Sequence, residues 1–561
     1  MTVTTDRPAP PRNRKKSEGQ WAMGYREPLN ANERTKKDDD ALNVRERILN
    51  IYAHQGFDSI DGGDLRGRFR WMGLYTQRAA GLDASFTGME DEDQLDARHF
   101  MLRVRTDGQR LSREQLRVLG GISTEFARDT ADFTDRQNLQ LHWIDIENVP
   151  EIWRRLDAVG LQTTEACGDC PRGFLGSPLA GIAVDEVLDA SSAMKVIADR
   201  YIGNPEFSNL PRKFKTAISG LQDVAHEIND VSFVGVNHPE HGPGLDLWVG
   251  GGLSTNPMFA QRLGAWIPLD EVPEVWAGVV SVFRDYGYRR LRSRARIKFL
   301  IKDWGAAEFR RVLEEEFLHR KLIDGPAPEP LAKTRDHVGV QRQRDGRNAV
   351  GVSPIAGRVS GTKLSAVADA MERAGSDRAM ITPYQKLVLL DVPDEAVEKF
   401  IVELDELELP ARASSWRRNV LACSGLEFCK LAFTETRVRA QTLVPELEQR
   451  LADLEAELDV NVTVHINGCP NSCARVQVAD IGLKGVLMSN AAGDTVEGFQ
   501  VQLGGGLNAD LGLGRKLRAH KITGDEVGDY VERLTRNFAK YREPGERFAQ
   551  WVKRANDDDL K

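Results

Sequence analysis

Cys423, Cys429, Cys469 and Cys473 are the residues of this chain best equipped for chemistry. They stand as C-x5-C in CSGLEFC and C-x3-C in NGCPNSC, with thirty-nine residues between the pairs. Four thiolates suit a tetrahedral zinc ion or a [4Fe–4S] cluster. Structural zinc sites favour tighter knuckles than a five-residue gap. Cys469-Pro470 matches the Cys-Pro of bacterial ferredoxins. The spacing therefore favours the cluster, with zinc and unliganded buried thiols as the alternatives.

Three sets of cations could serve an anion. Lys213 and Lys215, in LPRKFKTAISG, stand two apart and share one face of an extended segment. Two ammonium groups on one spot repel unless an anion sits between them; a solvated edge strand is the plainer reading. Arg103, in MLRVR, and Arg172, in CGDCPRGFLGSP, are candidates for bidentate oxyanion binding, against surface arginines as the alternative. Arg290, Arg292, Arg294, Arg296 and Lys298 recur at every second position. On a strand they would form one positive stripe, for a many-carboxylate ligand or nucleic acid, or simply a solvated run.

The elements that must carry these residues come in two copies. FTDRQNLQLHWIDIENVPEIWRRLDAVGL (133–161) parallels ITPYQKLVLLDVPDEAVEKFIVELDELEL (381–409). Both read as a strand, a turn and an amphipathic helix. HFMLRVRTDGQRLSREQLRVLGGIS (99–123) parallels AVGVSPIAGRVSGTKLSAVADAMER (349–373), and DLWVGGGLSTNP (246–257) parallels QVQLGGGLNADL (500–511). Neither glycine run is a dinucleotide fingerprint or a P-loop. Two copies are too few for a solenoid. They predict a mixed α/β (α+β) chain of two homologous halves about a pseudo-two-fold axis, with the site between them. The repeat also suggests equivalent positions for Arg172 and the Cys423–Cys429 segment.

The expected divisions are an N-terminal arm and helical segment (1–89), a first ferredoxin-like unit (90–160) and a first large domain (161–348). A second ferredoxin-like unit (349–411) and a second large domain with the four cysteines (412–561) follow. Residues 1–40 read as a polar arm without a secretory signal, 42–56 as a helix, and Pro-rich 318–347 as the linker between halves.

Composition bounds the rest. The 561 residues predict about three to four domains. Net charge is −8, from 76 basic and 84 acidic residues, and mean hydropathy is −0.42. That balance argues against nucleic acid as the main partner. No apolar run approaches the length of a membrane span. Six cysteines are too few for a secreted disulfide scaffold.

Together, C-x5-C…C-x3-C, the internal repeat, TDRQNLQLHW (134–143) and PRKFK (211–215) carry a resemblance. From about residue 40 onward the chain resembles the ferredoxin-dependent sulfite and nitrite reductases, most closely the assimilatory sulfite enzymes. The resemblance implies sirohaem coupled to a [4Fe–4S] cluster, in three domains around a central cofactor site. Cys423, Cys429, Cys469 and Cys473 would hold the cluster, with Cys473 also axial to the sirohaem iron. Arg103, Arg172, Lys213 and Lys215 match the family's anion-binding residues. Sirohaem needs a basic cradle, for which Arg136, Gln137, Asn138, His142, Arg294, Arg296 and Lys298 are the candidates.

The implied reaction is the six-electron reduction of sulfite to sulfide. Nitrite-type members commonly carry asparagine where Lys215 stands, and an extra cation suits a dianion. A nitrite reductase is the alternative within the class; a non-catalytic four-cysteine metal-binding protein is the alternative outside it. With no flavin or nicotinamide domain in view, the expected donor is a separate ferredoxin. The expected molecule is a cytoplasmic monomer, binding neither membrane nor nucleic acid. Cys167 and Cys170 lie outside the cluster motif. Cys167 and Tyr75 are candidates for oxidative modification beside a redox centre; an intact mass equal to that of the unmodified chain would remove that expectation.

Overall fold

A computed structural model of the chain describes residues 30–87, 95–331, 335–490 and 492–561. Most of the expected N-terminal arm, residues 1–29, lies outside this range. The expected helix at 42–56 is one helical run over residues 41–55, widened to a π-turn at Ile48–Tyr52.

Each repeat builds an antiparallel sheet closed by a helix. In the first, the strand order is Leu74–Arg78, Asp96–Val104, Leu139–Ile144, Ala131–Phe133. In the second it is Gly339–Arg342, Asn348–Val352, Leu387–Val392, Arg378–Ile381. The helices Arg113–Phe126 and Val149–Ala158 of the first unit answer Gly361–Ala374 and Val397–Glu406 of the second. Serine starts the long helix in both. Ser112 accepts from Gln115 N in a full capping box, and Ser360 accepts from Lys363 N.

The two units are interlocked. Each sheet takes its fifth, edge strand from the other half. Arg358–Val359 pairs with Asp132 and Ala131, while Leu111–Ser112 pairs with Ala379 and Arg378. The long helices also cross without side chains between them. A Cβ on Gly120 would lie 2.3 Å from Ser365 Oγ and 2.7 Å from Gly361 O; one on Gly361 would lie 2.3 Å from Gly120 O. A single core results, running from Val44, Phe69 and Phe100 through Leu116 and Leu119 to Leu364, Val367 and Phe400.

After each unit comes a larger α/β domain with its own core. In the first, the parallel strands Leu175–Gly176, Thr216–Ser219 and Val231–His238 are extended antiparallel by Gly242–Val249, Gln261–Ile267 and Ile323–Asp324. In the second, the parallel strands Val420–Ala422, Val464–Asn467 and Ile481–Ser489 continue into Thr495–Leu503 and Arg515–Thr523. The glycine pairs end equivalent strands. Gly250 (φ +91°) and Gly504 (φ +70°) turn the chain, and Gly251 and Gly505 donate back to Asn229 O and Ala479 O.

The basic run is not a strand. Arg292–Arg294 is a 3-10 turn, and Ile297–Val312 is a helix. No common stripe forms: Arg292 turns to Asp169, Arg296 to Asp230, and Lys298 donates to three backbone carbonyls. Among the described residues no helix is long and apolar enough to cross a membrane.

Candidate metal and anion site

Cys423 follows the strand Val420–Ala422 directly, and Cys469 comes two residues after Val464–Asn467. These strands are parallel neighbours. Both cysteines therefore leave the carboxyl end of one sheet, where such sheets open ligand crevices. Backbone N–H groups aim at the sulfurs: Gly468 at Cys423 (3.2 Å), Leu431 at Cys429 and Asn471 at Cys469. Gly425 (φ +66°) makes the first loop tight enough, since a Cβ there would lie 2.6 Å from Thr436 Oγ1.

All four thiols line one cavity of about 800 Å³. Burial pushes the Cys429 thiol up to about 12, with the charge of Cys423 adding. Burial also raises Cys469, reinforced by Cys473 and Cys429. It raises Cys473, where Cys423 adds and Lys213 and Lys215 oppose. Thiols that resist one another's ionisation form a donor set completed by a metal centre that takes them as thiolates. Four thiols lining one cavity suit a [4Fe–4S] cluster, which four cysteine thiolates hold.

A second cavity of about 320 Å³ adjoins the first; Asp135, Arg212, Lys213, Arg292 and Asn471 line both. Its wall holds eight cations (Arg136, Arg212, Lys213, Lys215, Arg292, Arg296, Lys298, Arg475) and one carboxylate, Asp135. Such a surplus fits an anion of several charges.

The expected anion binders converge. Arg103, Arg172 and Lys213 line the larger cavity, and Lys213 and Lys215 the smaller. A short parallel ladder fixes their spacing: Phe214 N donates to Cys170 O (3.0 Å) and Arg172 N to Phe214 O (2.7 Å). Lys213 and Lys215 flank Phe214, so both ammonium groups fall on the cavity side. Neither has a salt bridge among the described residues. Burial, then the charge of Arg136, pulls Lys215 down to about 7. Burial, then Lys215, pulls Lys213 well below the usual lysine range. Asp230 braces the group, accepting from Lys215 N (2.8 Å) and from Arg296 at 2.9 and 2.8 Å. Tyr75 and Arg103 line the larger cavity, and the buried Cys167 lies behind Arg103. Arg103 Nη1 lies 2.7 Å from Cys167 Sγ, and burial, then Cys167, pushes Tyr75 up to about 12.

The cradle candidates divide. Arg136, Arg296 and Lys298 line the smaller cavity and His142 the larger. His142 is held by Asp132 (3.0 Å) and stacks on Phe428 at 3.6 Å. Arg294 is corrected: it is exposed and lines neither cavity, because the chain turns there instead of running extended. Gln137 is corrected to a brace, its amide spent on Ile381 O and Gly176 N (both 2.8 Å). Asn138 is also outside both walls, buried against Gly173.

Sequence reasoning missed Arg212 and Arg475 as wall residues, although Arg212 stands in PRKFK and Arg475 two residues after Cys473. Arg172 and Cys423 are not equivalent. Cys423 follows its strand, whereas Arg172 precedes Leu175–Gly176. The residue in the place of Cys423 is Ser177, which joins Ser219 and His337 on Asp223.

Comparisons with known proteins agree with this geometry. The model of the nitrite and sulphite reductase 4Fe-4S domain matches residues 167–321 and 414–558. The nitrite/sulfite reductase ferredoxin-like half domain matches residues 92–159 and 340–407. The chain is 70% identical, over 100% of both chains, to a sulfite reductase [ferredoxin] of Mycobacterium tuberculosis (strain ATCC 25618 / H37Rv). It is 33% identical to a ferredoxin–nitrite reductase of Synechococcus elongatus, over 88% of this chain and 94% of the other. A solved structure titled as the Mycobacterium tuberculosis NirA protein superposes with a TM-score of 0.96 at 70% identity, covering 98% of this chain and 100% of that one.

Proposed function

The chain belongs to the nitrite and sulphite reductase family, and from that premise we propose that it reduces sulfite to sulfide with six electrons drawn from ferredoxin. One observation carries the proposal: a thiol-walled cavity opens into a cation-walled one, and Lys213 belongs to both. Cys423, Cys429, Cys469 and Cys473 would hold a [4Fe–4S] cluster, with Cys473 shared with the iron of sirohaem. Arg136, Arg212 and Arg296 would meet the carboxylates of sirohaem, while Lys298, its ammonium spent on the carbonyls of Gly252, Leu253 and Asn256, would shape the wall. When bound, cluster and sirohaem supply the electrons to the sulfur of the substrate.

The chain's own residues supply the rest. Arg103 and Arg172 orient the anion, since guanidinium stays charged and bonds bidentately. Lys213 and Lys215 stabilise charge as S–O bonds break. They also hold protons for the departing oxygens, because burial makes an ammonium a better acid. Sulfite is favoured over nitrite because Lys215 adds a cation suited to a dianion. The molecule would work as a cytoplasmic monomer. Tyr75 and Cys167 are proposed as a modifiable pair, which intact mass would test.

The test is the visible spectrum of the purified protein with dye-driven sulfite turnover. A Soret band, a further band well into the red and sulfide release are expected. A colourless protein holding stoichiometric zinc would overturn the reading. Docking of a small acidic ferredoxin would be electrostatic. Raising ionic strength is therefore expected to slow ferredoxin-driven turnover by about tenfold or more while leaving dye-driven turnover nearly unchanged. Equal slowing of both would count against electrostatic docking.

A further inference from the structure

The turn at residues 471–475 is the partition between the two cavities. Cys473 faces the larger, Ser472 and Arg475 face the smaller, and Asn471 touches both. The turn is conformationally costly. Ser472 (φ +56°) and Arg475 (φ +60°) both sit in the left-handed region without being glycine. Each such residue is strained and persists only where its surroundings hold it. Within its own domain the turn is tied by Ala474 N to Asn467 Oδ1 (2.8 Å) and by Ser472 to Gln477.

A further hold comes from one buried guanidinium reaching both halves. Arg475 Nε donates to Asp135 Oδ2 at 3.1 Å, and Nη2 donates to Pro383 O. The guanidinium also lies 5.3 Å over the Tyr384 ring. Asp135 is the second residue of T-D-R-Q (134–137), and Pro383 is the second residue of T-P-Y-Q (382–385). These turns are equivalent across the repeat. Their glutamines Gln137 and Gln385 share φ values of +56° and +59°, and both donate to backbone carbonyls, Ile381 O and Ala422 O. Arg475 thus bridges matching points of the two halves, two residues from Cys473.

We propose that Arg475 is a positioning residue. Its two-pronged hold on the paired turns fixes the partition, and with it the direction in which Cys473 presents its sulfur between the cavities. This rests on the sulfite reductase reading above. Cys423 and Cys429 lie on a separate loop, and Cys469 enters from the strand Val464–Asn467 ahead of the turn, so the clamp bears most directly on Cys473. Loosening it should therefore separate haem from cluster.

The experiment compares purified holoprotein of the natural chain with Arg475→Gln and Arg475→Lys, reading iron, acid-labile sulfide, sirohaem content and the visible spectrum. In Arg475→Gln the ratio of sirohaem to acid-labile sulfide is expected to fall about tenfold, with the acid-labile sulfide retained. Arg475→Lys, which keeps the charge and one prong, should recover part of the ratio. An unaltered ratio and spectrum in soluble Arg475→Gln would overturn the proposal, as would parallel loss of acid-labile sulfide and haem. If Arg475→Gln does not fold, Asp135→Ala removes one prong, and an unaltered ratio there overturns the proposal equally. A natural chain that carries no haem would sink the function itself, so the two failures are distinct.

Discussion

Replacing Lys213 by methionine is expected to lower kcat/KM for sulfite by about 10²- to 10³-fold, the usual effect of deleting one group aimed at developing charge. The methionine fills similar volume, so the loss would report charge and proton, not packing. Lys215→Asn should cost sulfite about 10²-fold as well and cost nitrite less, because a monoanion needs less positive charge. Sulfite turnover left intact in Lys215→Asn would refute the role assigned to this lysine.

The pH dependence follows from the same burial. Lys215 is pulled down to about 7, so a rise in pH removes its charge where an ordinary lysine would stay protonated. Sulfite kcat/KM should therefore fall on the alkaline side. In Lys215→Arg that alkaline limb should move to higher pH, since arginine does not titrate in the range. Steady-state profiles of the two proteins, with dye as donor, measure the difference.

The second large effect is structural. Gly120→Ala is expected to destabilise the protein by about 1–3 kcal/mol, because the new methyl meets the crossing helix at 2.3 Å from Ser365 Oγ and 2.7 Å from Gly361 O. Its neighbour is the control. A Cβ on Gly121 meets nothing within 4 Å, and alanine is the better helix former. Gly121→Ala should therefore stabilise by about 0.5–1 kcal/mol. Thermal or denaturant melts of both variants decide the matter. Shifts of the same sign would mean that the helices do not cross at Gly120.

Much of the site was legible because its chemistry is written in side-chain types at short range. The C-x5-C and C-x3-C pairs, the lysines two apart and the paired T-x-x-Q turns are all local patterns. What escaped depends on partners far along the chain. The period-two arginines imitated a strand, yet Asp169 and Asp230, each more than sixty residues away, decide where Arg292 and Arg296 point. The exchanged edge strands are two residues each and carry no alternation to read. Ser177 could not be matched to Cys423 by sequence, because the two share a position on a sheet and no chemistry. Arg475 stood beside a motif that drew attention to its cysteines alone.

The exchange of edge strands bears on the covalent chain itself. The connection after Ile323–Asp324 runs over the surface, with Ala327, Glu329 and Pro330 exposed. A protease cut there would break the polypeptide without parting the molecule. Each fragment would still lend the other a strand, and the core under the crossed helices belongs to both. Neither fragment completes its ferredoxin-like sheet by itself. The two halves are thus obligate complements, and the peptide link between them sets their stoichiometry more than it holds them together.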